Sequence, residues 1–445
     1  MTTSEGNNKN MPLDSRQTDN PRHVAVIGAG YVGIPTAVTL ATLGHQVVLA
    51  ERDPRRLSVL QAGKSPIYEP GLEPLLQECL RKGTLRCVES AVEAVEGANV
   101  TFLCVPTPQD DDGSADLSYV ISTASEIASA LAPHSIVVNK STVPVGTAQL
   151  VEAALNRSDV AVVSNPEFLR EGTAIEDSFH PDRIVVGAHD PARGREVGDL
   201  FAATGAPVVL TTTATAETIK YASNAFLAVK LSFINAMAGF CENAGADVRY
   251  LVTGLGFDAR IGSRYLNPGP GWGGSCLPKD TAALLHMSDQ YHFDFELLRG
   301  AISTNESQLV RMVDKISRGA NGLDGKTIAV WGLTFKADTD DLRNSPAVDI
   351  VQRLVKAGAT VRAYDPMVTE PVTDLPGVEI VTDIYDVLEG AAVLAILTEW
   401  NEFRLVKLDE VARVMGTAGI VDCRNIFEPG EVRRYGLRYE GVGSL

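Results

Sequence analysis

An apolar run, His23–Ile27, leads straight into Gly28-Ala-Gly-Tyr-Val-Gly33, and no other feature of the 445 residues restricts the fold as much. Residues 34–43 have helical composition, Gly44 stops them, and Gln46–Ala50 is a second β run that ends at Glu51. Strand, glycine turn, helix and strand in this order outline a right-handed βαβ unit. In such a unit Gly28 permits the tight turn, Gly30 lets backbone approach a pyrophosphate, and Gly33 lets the helix pack on the sheet. The helix N-terminus adds N–H donors and a positive dipole end. Glu51 stands 21 residues past Gly30, at the end of the next strand, where a carboxylate accepts from ribose hydroxyls and repels a 2′-phosphate. The reading is NAD rather than NADP, held by Gly28, Gly30, Tyr31, Val32, Gly33, Glu51 and Arg56, although Arg52 or Arg56 could also accommodate a phosphate.

Further β runs at 100–105, 136–139, 160–164 and 184–186 alternate with helix-like stretches such as 118–131. This rhythm predicts a mostly parallel sheet with helices on both faces. From Ala214 to Ala244 there is no proline and one glycine, Gly239, so a single helix about 45 Å long is expected. Residues 318–325 hold three glycines and read as a linker. Beyond it the β/α rhythm resumes at 327–331, 346–356, 360–364, 393–397 and 419–422. The first turn there, Gly332-Leu-Thr-Phe335, lacks the glycine trio and should not hold a second dinucleotide in the same way. The expected fold is α/β, two Rossmann-like doubly wound domains joined by a long central helix. Its parts are a disordered tail (1–21), a dinucleotide domain (22–210), a helical, dimerising centre (211–318) and a second Rossmann-like domain (319–445).

Composition narrows the partners. Lys+Arg 39 against Asp+Glu 56 gives 39 − 56 = −17, which argues against a nucleic-acid binder. The polar first twenty residues read as neither secretory signal nor anchor, and no uninterrupted apolar run reaches the ~20 residues that span a bilayer. The six cysteines are scattered, with no Cys-x-x-Cys and no histidines at ligand spacing. That points to a cytoplasmic protein without a metal site.

The second informative stretch is Gly271-Trp-Gly-Gly-Ser-Cys-Leu-Pro-Lys-Asp280. Pro278 suits the first turn of a helix, whose N-terminus would help ionise the Cys276 thiol. Asp280 would lie one turn on, on the same side. A nucleophile beside a carboxylate can form a covalent intermediate and activate the water that releases it. Lys220 and Asn224, one turn apart on the long helix, could together stabilise an oxyanion, or simply be a solvated helix face. Thr142 and Glu167 follow predicted strands, where open α/β sheets place their ligand crevice, and are candidates for proton handling.

Seven motifs, in this order and spacing, resemble the UDP-glucose/GDP-mannose dehydrogenase family. They are the glycine turn, Ser65-Pro-Ile-Tyr-Glu-Pro-Gly-Leu72, Lys140-Ser-Thr-Val-Pro144, Asn165-Pro-Glu-Phe-Leu169, Lys220-x-x-x-Asn224, Gly273–Asp280 and Phe335-Lys-Ala-Asp338. Within the family the spacing is most similar to the UDP-glucose-oxidising branch. The resemblance implies four-electron oxidation of the C6 alcohol of a nucleoside-diphosphate hexose to a uronic acid, with two NAD⁺ consumed. UDP-glucose is the first candidate; dTDP-glucose, GDP-mannose and other UDP-hexoses stay open, because the proline-rich loop 267–272 sits where sugar or base is sensed. It implies a Cys276 thiohemiacetal and thioester, with Lys220 and Asn224 on the oxyanion states. Asp280, Glu167 and Thr142 would serve proton transfer and hydrolysis. Further cofactor contacts implied are Thr107, Ser141, Glu171, Lys279 and Arg343. Substrate contacts implied are Phe168, Leu169, Arg170, Asn267, Gly271, Trp272, Gly273, Phe335 and Lys336, with Arg260 reaching across a homodimer built on the central helix. A two-electron, hydroxyacid-type dehydrogenase is the remote alternative.

Overall fold

A computed structural model describes residues 17–18, 20–110, 112–416 and 418–444. The chain forms two compact units, one ending at Ala222 and the other beginning at Ser223.

In the first unit the strands are β1 (His23–Ile27), β2 (Gln46–Ala50), β3 (Leu85–Val88), β4 (Val100–Leu103), β5 (Ile136–Asn139), β6 (Ala161–Ser164), β7 (Ile184–Ala188) and β8 (Val208–Thr211). They lie in the order β3-β2-β1-β4-β5-β6-β7-β8. All neighbours are parallel except β6 and β7. Side chains alternate between two cores: Val24, Val26 and Phe102 pack on one face, Ala25, Ile27 and Leu103 on the other. Burial on both faces explains why these strands read as near-continuous apolar runs. Register aligns Ile27 with Ala50 and with Leu103, Leu103 with Asn139, and Asn139 with Ser164. The residues that follow, Gly28, Glu51, Cys104, Lys140 and Asn165, therefore emerge along one edge. Connections from β1 and β4 leave in opposite directions there, which opens the crevice where such sheets bind ligands.

Several expectations need adjustment. β3 and β8 had no apolar run long enough to be read in advance, and the 118–131 helix ends at Ile127. Thr18 donates its amide to the Leu43 carbonyl (2.8 Å), so packing begins before residue 22; the rest of the expected tail, 1–16 and 19, lies outside the described residues.

The long helix runs Thr213–Ala244, 32 residues or about 48 Å. By length and composition it is apolar enough to cross a membrane, although no uninterrupted apolar run marks it; 44% of its most apolar window is buried within the chain. The second unit continues with helices Val248–Gly256, Leu277–Gln290 and Glu296–Ala320 and a sheet of β9 (Thr327–Trp331), β10 (Thr360–Tyr364), β11 (Glu379–Ile380), β12 (Val393–Ile396), β13 (Gly419–Asp422) and β14 (Arg438–Gly441). Its order is β11-β10-β9-β12-β13-β14, parallel throughout. The expected linker at 318–325 is corrected here. Arg318 to Ala320 finish a 25-residue helix, and a Cβ on Gly319 would stand 2.9 Å from Val421 and 3.0 Å from Val393. That glycine serves close helix–sheet packing; the chain reverses only at Asn321, which adopts φ 56°.

Candidate active site

The glycine turn behaves as three separate devices. Gly28 has φ +100°, and a Cβ there would meet the Cys104 carbonyl at 2.6 Å. A Cβ on Gly33 would lie 1.7 Å from the Gly28 carbonyl oxygen, so the tightest approach is to the turn itself rather than to the sheet. At Gly30 nothing lies within 4 Å, and this is the open side that a pyrophosphate needs. The helix Gly33–Thr42 has no side-chain N-cap and no acid in its first turn, which suits an anion. Glu51, at the end of β2, accepts from the Asp53 amide at 2.9 Å and pairs with Arg56 at 3.4 Å. Arg56 also donates to the Ala29 carbonyl (2.7 Å), fastening the glycine turn to the acid. These residues fit NAD.

Loops after β4, β5 and β6 build the rest of this edge. The Thr107 hydroxyl donates to the Thr142 carbonyl (3.0 Å) and the Ser141 hydroxyl to the Val105 carbonyl (2.6 Å), so both tie two loops together. Glu167 is buried. Its Oε1 accepts from Lys220 Nζ at 2.8 Å and its Oε2 from the Leu169 amide at 2.6 Å. Burial alone would push this carboxyl up, but the Lys220 charge and hydrogen bond, the Leu169 amide and the Lys140 charge together hold it below the usual range. Phe168 carries the Arg183 guanidinium 3.6 Å from its ring centre, with Lys220 at 5.5 Å. Arg170 turns to Asp177, while Leu169 and Glu171 are half-buried. Lys140 is buried and donates to Asn165 Oδ1 at 3.0 Å.

In the second unit Cys276 caps the helix Leu277–Gln290, with Pro278 in its first turn. The other five cysteines are buried; Cys276 alone is partly exposed. Burial pushes Cys104 and Cys423 up to about 12 and Cys87 to about 11, which makes them poor nucleophiles. Asp280 sits one turn below Cys276, its amide on the Cys276 carbonyl at 2.9 Å. Its carboxylate, 1% exposed, accepts from Asn224 Nδ2 and Lys279 Nζ, both at 2.6 Å. Lys279, expected at the cofactor, is thus paired with Asp280. Gly271 adopts φ +140°, and a Cβ on Gly273 would stand 2.1 Å from the Asn344 carbonyl oxygen. The Phe335 ring packs against Gly274, and Lys336 lies 5.7 Å from that ring. Asn267 is exposed. Arg343, itself exposed, is bound to the buried Asp341, and the exposed Arg260 to Asp258.

Trp272 is buried, with its indole N–H on Ser232 Oγ at 2.9 Å. Arg183, on the Phe168 ring, and Arg424 were not singled out in the sequence. Arg424 follows β13 and donates to the Phe335 carbonyl at 2.9 Å. Its place just beyond a strand end was the available signal.

Three sequence models match in chain order: the NAD binding domain of the UDP-glucose/GDP-mannose dehydrogenase family at 22–204, its central domain at 214–307 and its UDP binding domain at 329–429. A UDP-glucose 6-dehydrogenase of Rhizobium meliloti is 45% identical over 94% of this chain and 99% of its own. The chain belongs to the UDP-glucose/GDP-mannose dehydrogenase family. It is an NAD-dependent nucleotide-sugar dehydrogenase. A Bacillus subtilis relative, UDP-glucose 6-dehydrogenase TuaD, is 40% identical over 95% of this dehydrogenase and 93% of its own chain. The solved UDP-glucose dehydrogenase of Pyrobaculum islandicum superposes with a TM-score of 0.90 at 37% identity, covering 96% of this chain and 98% of that one.

Proposed function

We propose that this dehydrogenase oxidises UDP-glucose at C6 to UDP-glucuronate, with Cys276 as the covalent nucleophile. The observation that carries the reading is Cys276 itself: a partly exposed thiol at a helix N-terminus, above a buried carboxylate, in a chain whose other thiols are sealed. NAD⁺, when bound at the glycine turn, supplies a two-electron acceptor and is used twice per sugar. Lys220 and Asn224 stabilise the C6 oxygen as it becomes anionic. The Cys276 sulfur adds to the C6 aldehyde, forming the C–S bond of a thiohemiacetal, and so keeps the aldehyde from escaping. After the second oxidation this carbon is a thioester. Water attacks it, the C–S bond breaks, the thiol leaves and the carboxylate is freed. Asp280 and Glu167, with the Thr142 hydroxyl, take and return the protons of these steps. Phe168–Arg170, Asn267, Gly271, Gly273, Phe335 and Lys336 hold the nucleotide sugar, and Thr107, Ser141, Glu171, Lys279 and Arg343 serve the cofactor.

A panel of nucleotide sugars assayed for NADH yield and product mass tests this directly. UDP-glucose should give two NADH per uronic acid, and Cys276→Ser should abolish turnover. One NADH with a free aldehyde, or turnover surviving in Cys276→Ala, overturns the covalent route in favour of a two-electron dehydrogenase.

The same reading divides the chain into the parts 22–210, 211–318 and 319–445, in keeping with the three matched domains. It also makes the protein a homodimer through the central helix. Phe226, Phe233 and Phe240 are 66%, 50% and 62% exposed and fall seven residues apart, on one stripe of that helix. Arg260 would then reach a partner's substrate. Light scattering should give twice the chain mass, and Phe233→Asp should lower it. Six free cysteines suit the cytoplasm.

A further inference from the structure

The segment Ser65–Leu72 is part of the family resemblance, yet the reaction above gives it no task. In the first unit it joins helices Pro54–Gln61 and Leu72–Lys82. Its Glu69 is only 7% exposed. The carboxylate receives two backbone amides from far along the chain, Gly172 on Oε2 and Ala174 on Oε1, both at 2.7 Å. Those amides belong to the loop that follows Glu167 and to the first residue of the helix Ala174–Phe179. Other bonds that shape the loop are local: Leu169 to Glu167, the Arg170 amide to Asp177 at 2.9 Å, and the Thr173 amide to the Arg170 carbonyl at 2.9 Å. Of these anchors Glu69 alone lies about a hundred residues away in sequence.

Glu69 is itself held firmly. Its carbonyl accepts from the Leu72 amide at 3.2 Å, Gly71 turns the chain with φ +79°, and Ile67, two residues back, is packed into the core. A buried carboxylate received by two amides is a strong, geometrically demanding clamp. We propose that Glu69 is a positioning residue for substrate recognition: by clamping Gly172 and Ala174 it fixes the loop that carries Phe168, Leu169 and Arg170, against which the nucleotide sugar binds. This rests on the assignment of that loop under the proposed function. Of the residues assigned to the cofactor, Glu171 belongs to the clamped loop, whereas Gly28, Gly30, Gly33 and Glu51 stand at the ends of other strands, so the effect should fall mainly on the nucleotide sugar.

The test compares Glu69→Ala and Glu69→Gln with the unaltered enzyme. Ala removes both acceptors; Gln keeps one carbonyl oxygen and leaves one amide unmatched. Expected is a KM for UDP-glucose raised about tenfold in Ala and about threefold in Gln, with the KM for NAD within about twofold. Amide exchange on the ligand-free protein should quicken over 168–174 in both variants and stay unchanged over 24–42. If both KM values rise in step, or the loop exchanges as before, the proposal is wrong. Should Glu69→Ala fail to fold, Glu69→Gln decides by the same criteria. An unaltered enzyme inactive on UDP-glucose would overturn the proposed function instead, and the exchange comparison would still decide the clamp.

Discussion

The two sheets share the strand order 3-2-1-4-5-6 over their first six strands and part company at the first turn. In the first sheet Gly28 turns the chain, Gly30 leaves space, and Glu51, which ends the second strand, is 11% exposed and paired with Arg56. In the second, Gly332 makes the same kind of turn at φ +93°, but the position two residues on is Thr334, which is buried. The acid that ends its second strand, Asp365, is also buried and accepts from the Leu333 and Thr334 amides at 2.7 and 3.0 Å and from the Trp400 indole at 3.2 Å. One topology therefore yields a dinucleotide site or a closed turn, according to whether the second position is empty or holds a buried side chain.

The harshest way to break this contrast is to fill the empty position. Gly30→Val should weaken NAD binding about a thousandfold, or about 4 kcal/mol. The melting temperature should hold, because nothing surrounds the site of the new Cβ. Gly332→Ala is the mirror experiment. Its Cβ would meet Thr398 at 2.3 Å, so stability should fall while calorimetric NAD affinity stays unchanged.

Buried cations sharpen the comparison next. Lys315, in the second unit, is matched by Glu242 at 2.9 Å and Glu440 at 3.0 Å. Lys140, in the first, has an amide oxygen as its hydrogen-bond acceptor, and burial pulls it down to about 8 from an ordinary 10.5, against the opposing charge of Glu167. Between those two values the unfolded chain binds the proton that the folded one has released. Stability should therefore rise with pH across this window, by up to about 3 kcal/mol. Denaturant titrations from pH 8 to 10.5 should show that rise in the unaltered protein and lose it in Lys140→Met. Parallel curves for the two would refute the placement of this charge.

How much of this was legible beforehand follows from the range of the interactions. β1, β2, β5, β9, β10 and β13 could be bounded from sequence because a buried parallel strand is an apolar run with a polar or glycine stop. The Cys276–Asp280 turn was equally readable, since proline and helical spacing are local. Glu69 was not, because its partners are Gly172 and Ala174, and no local pattern announces a clamp across that separation. The bond that holds Trp272 was hidden for a related reason: Ser232, which takes its N–H, lies forty residues earlier. Gly319 looked like slack because the side chains that need it, Val393 and Val421, belong to strands further on.

A smaller effect is expected from the inward acid. Asp365→Asn leaves an acceptor at some of its five donors and puts an N–H₂ against the rest, at a cost of about 2 kcal/mol in unfolding free energy. NAD affinity should not change. If it did, the second sheet would have to be counted among the cofactor's supports and the contrast would fail.

The smallest effect belongs to the acid of the first sheet, and it reads specificity rather than stability. Glu51 is held by the Asp53 amide and Arg56, and Gln keeps an acceptor for that amide, so Glu51→Gln should leave unfolding nearly untouched. It removes the charge that repels a 2′-phosphate and releases Arg56 from its ion pair. The preference for NAD over NADP, measured as a ratio of kcat/KM, should then shrink about tenfold, or about 1.4 kcal/mol. A ratio that stays put would mean that discrimination lies elsewhere in the turn, and that the acid at the end of the second strand does not by itself separate a working dinucleotide sheet from a closed one.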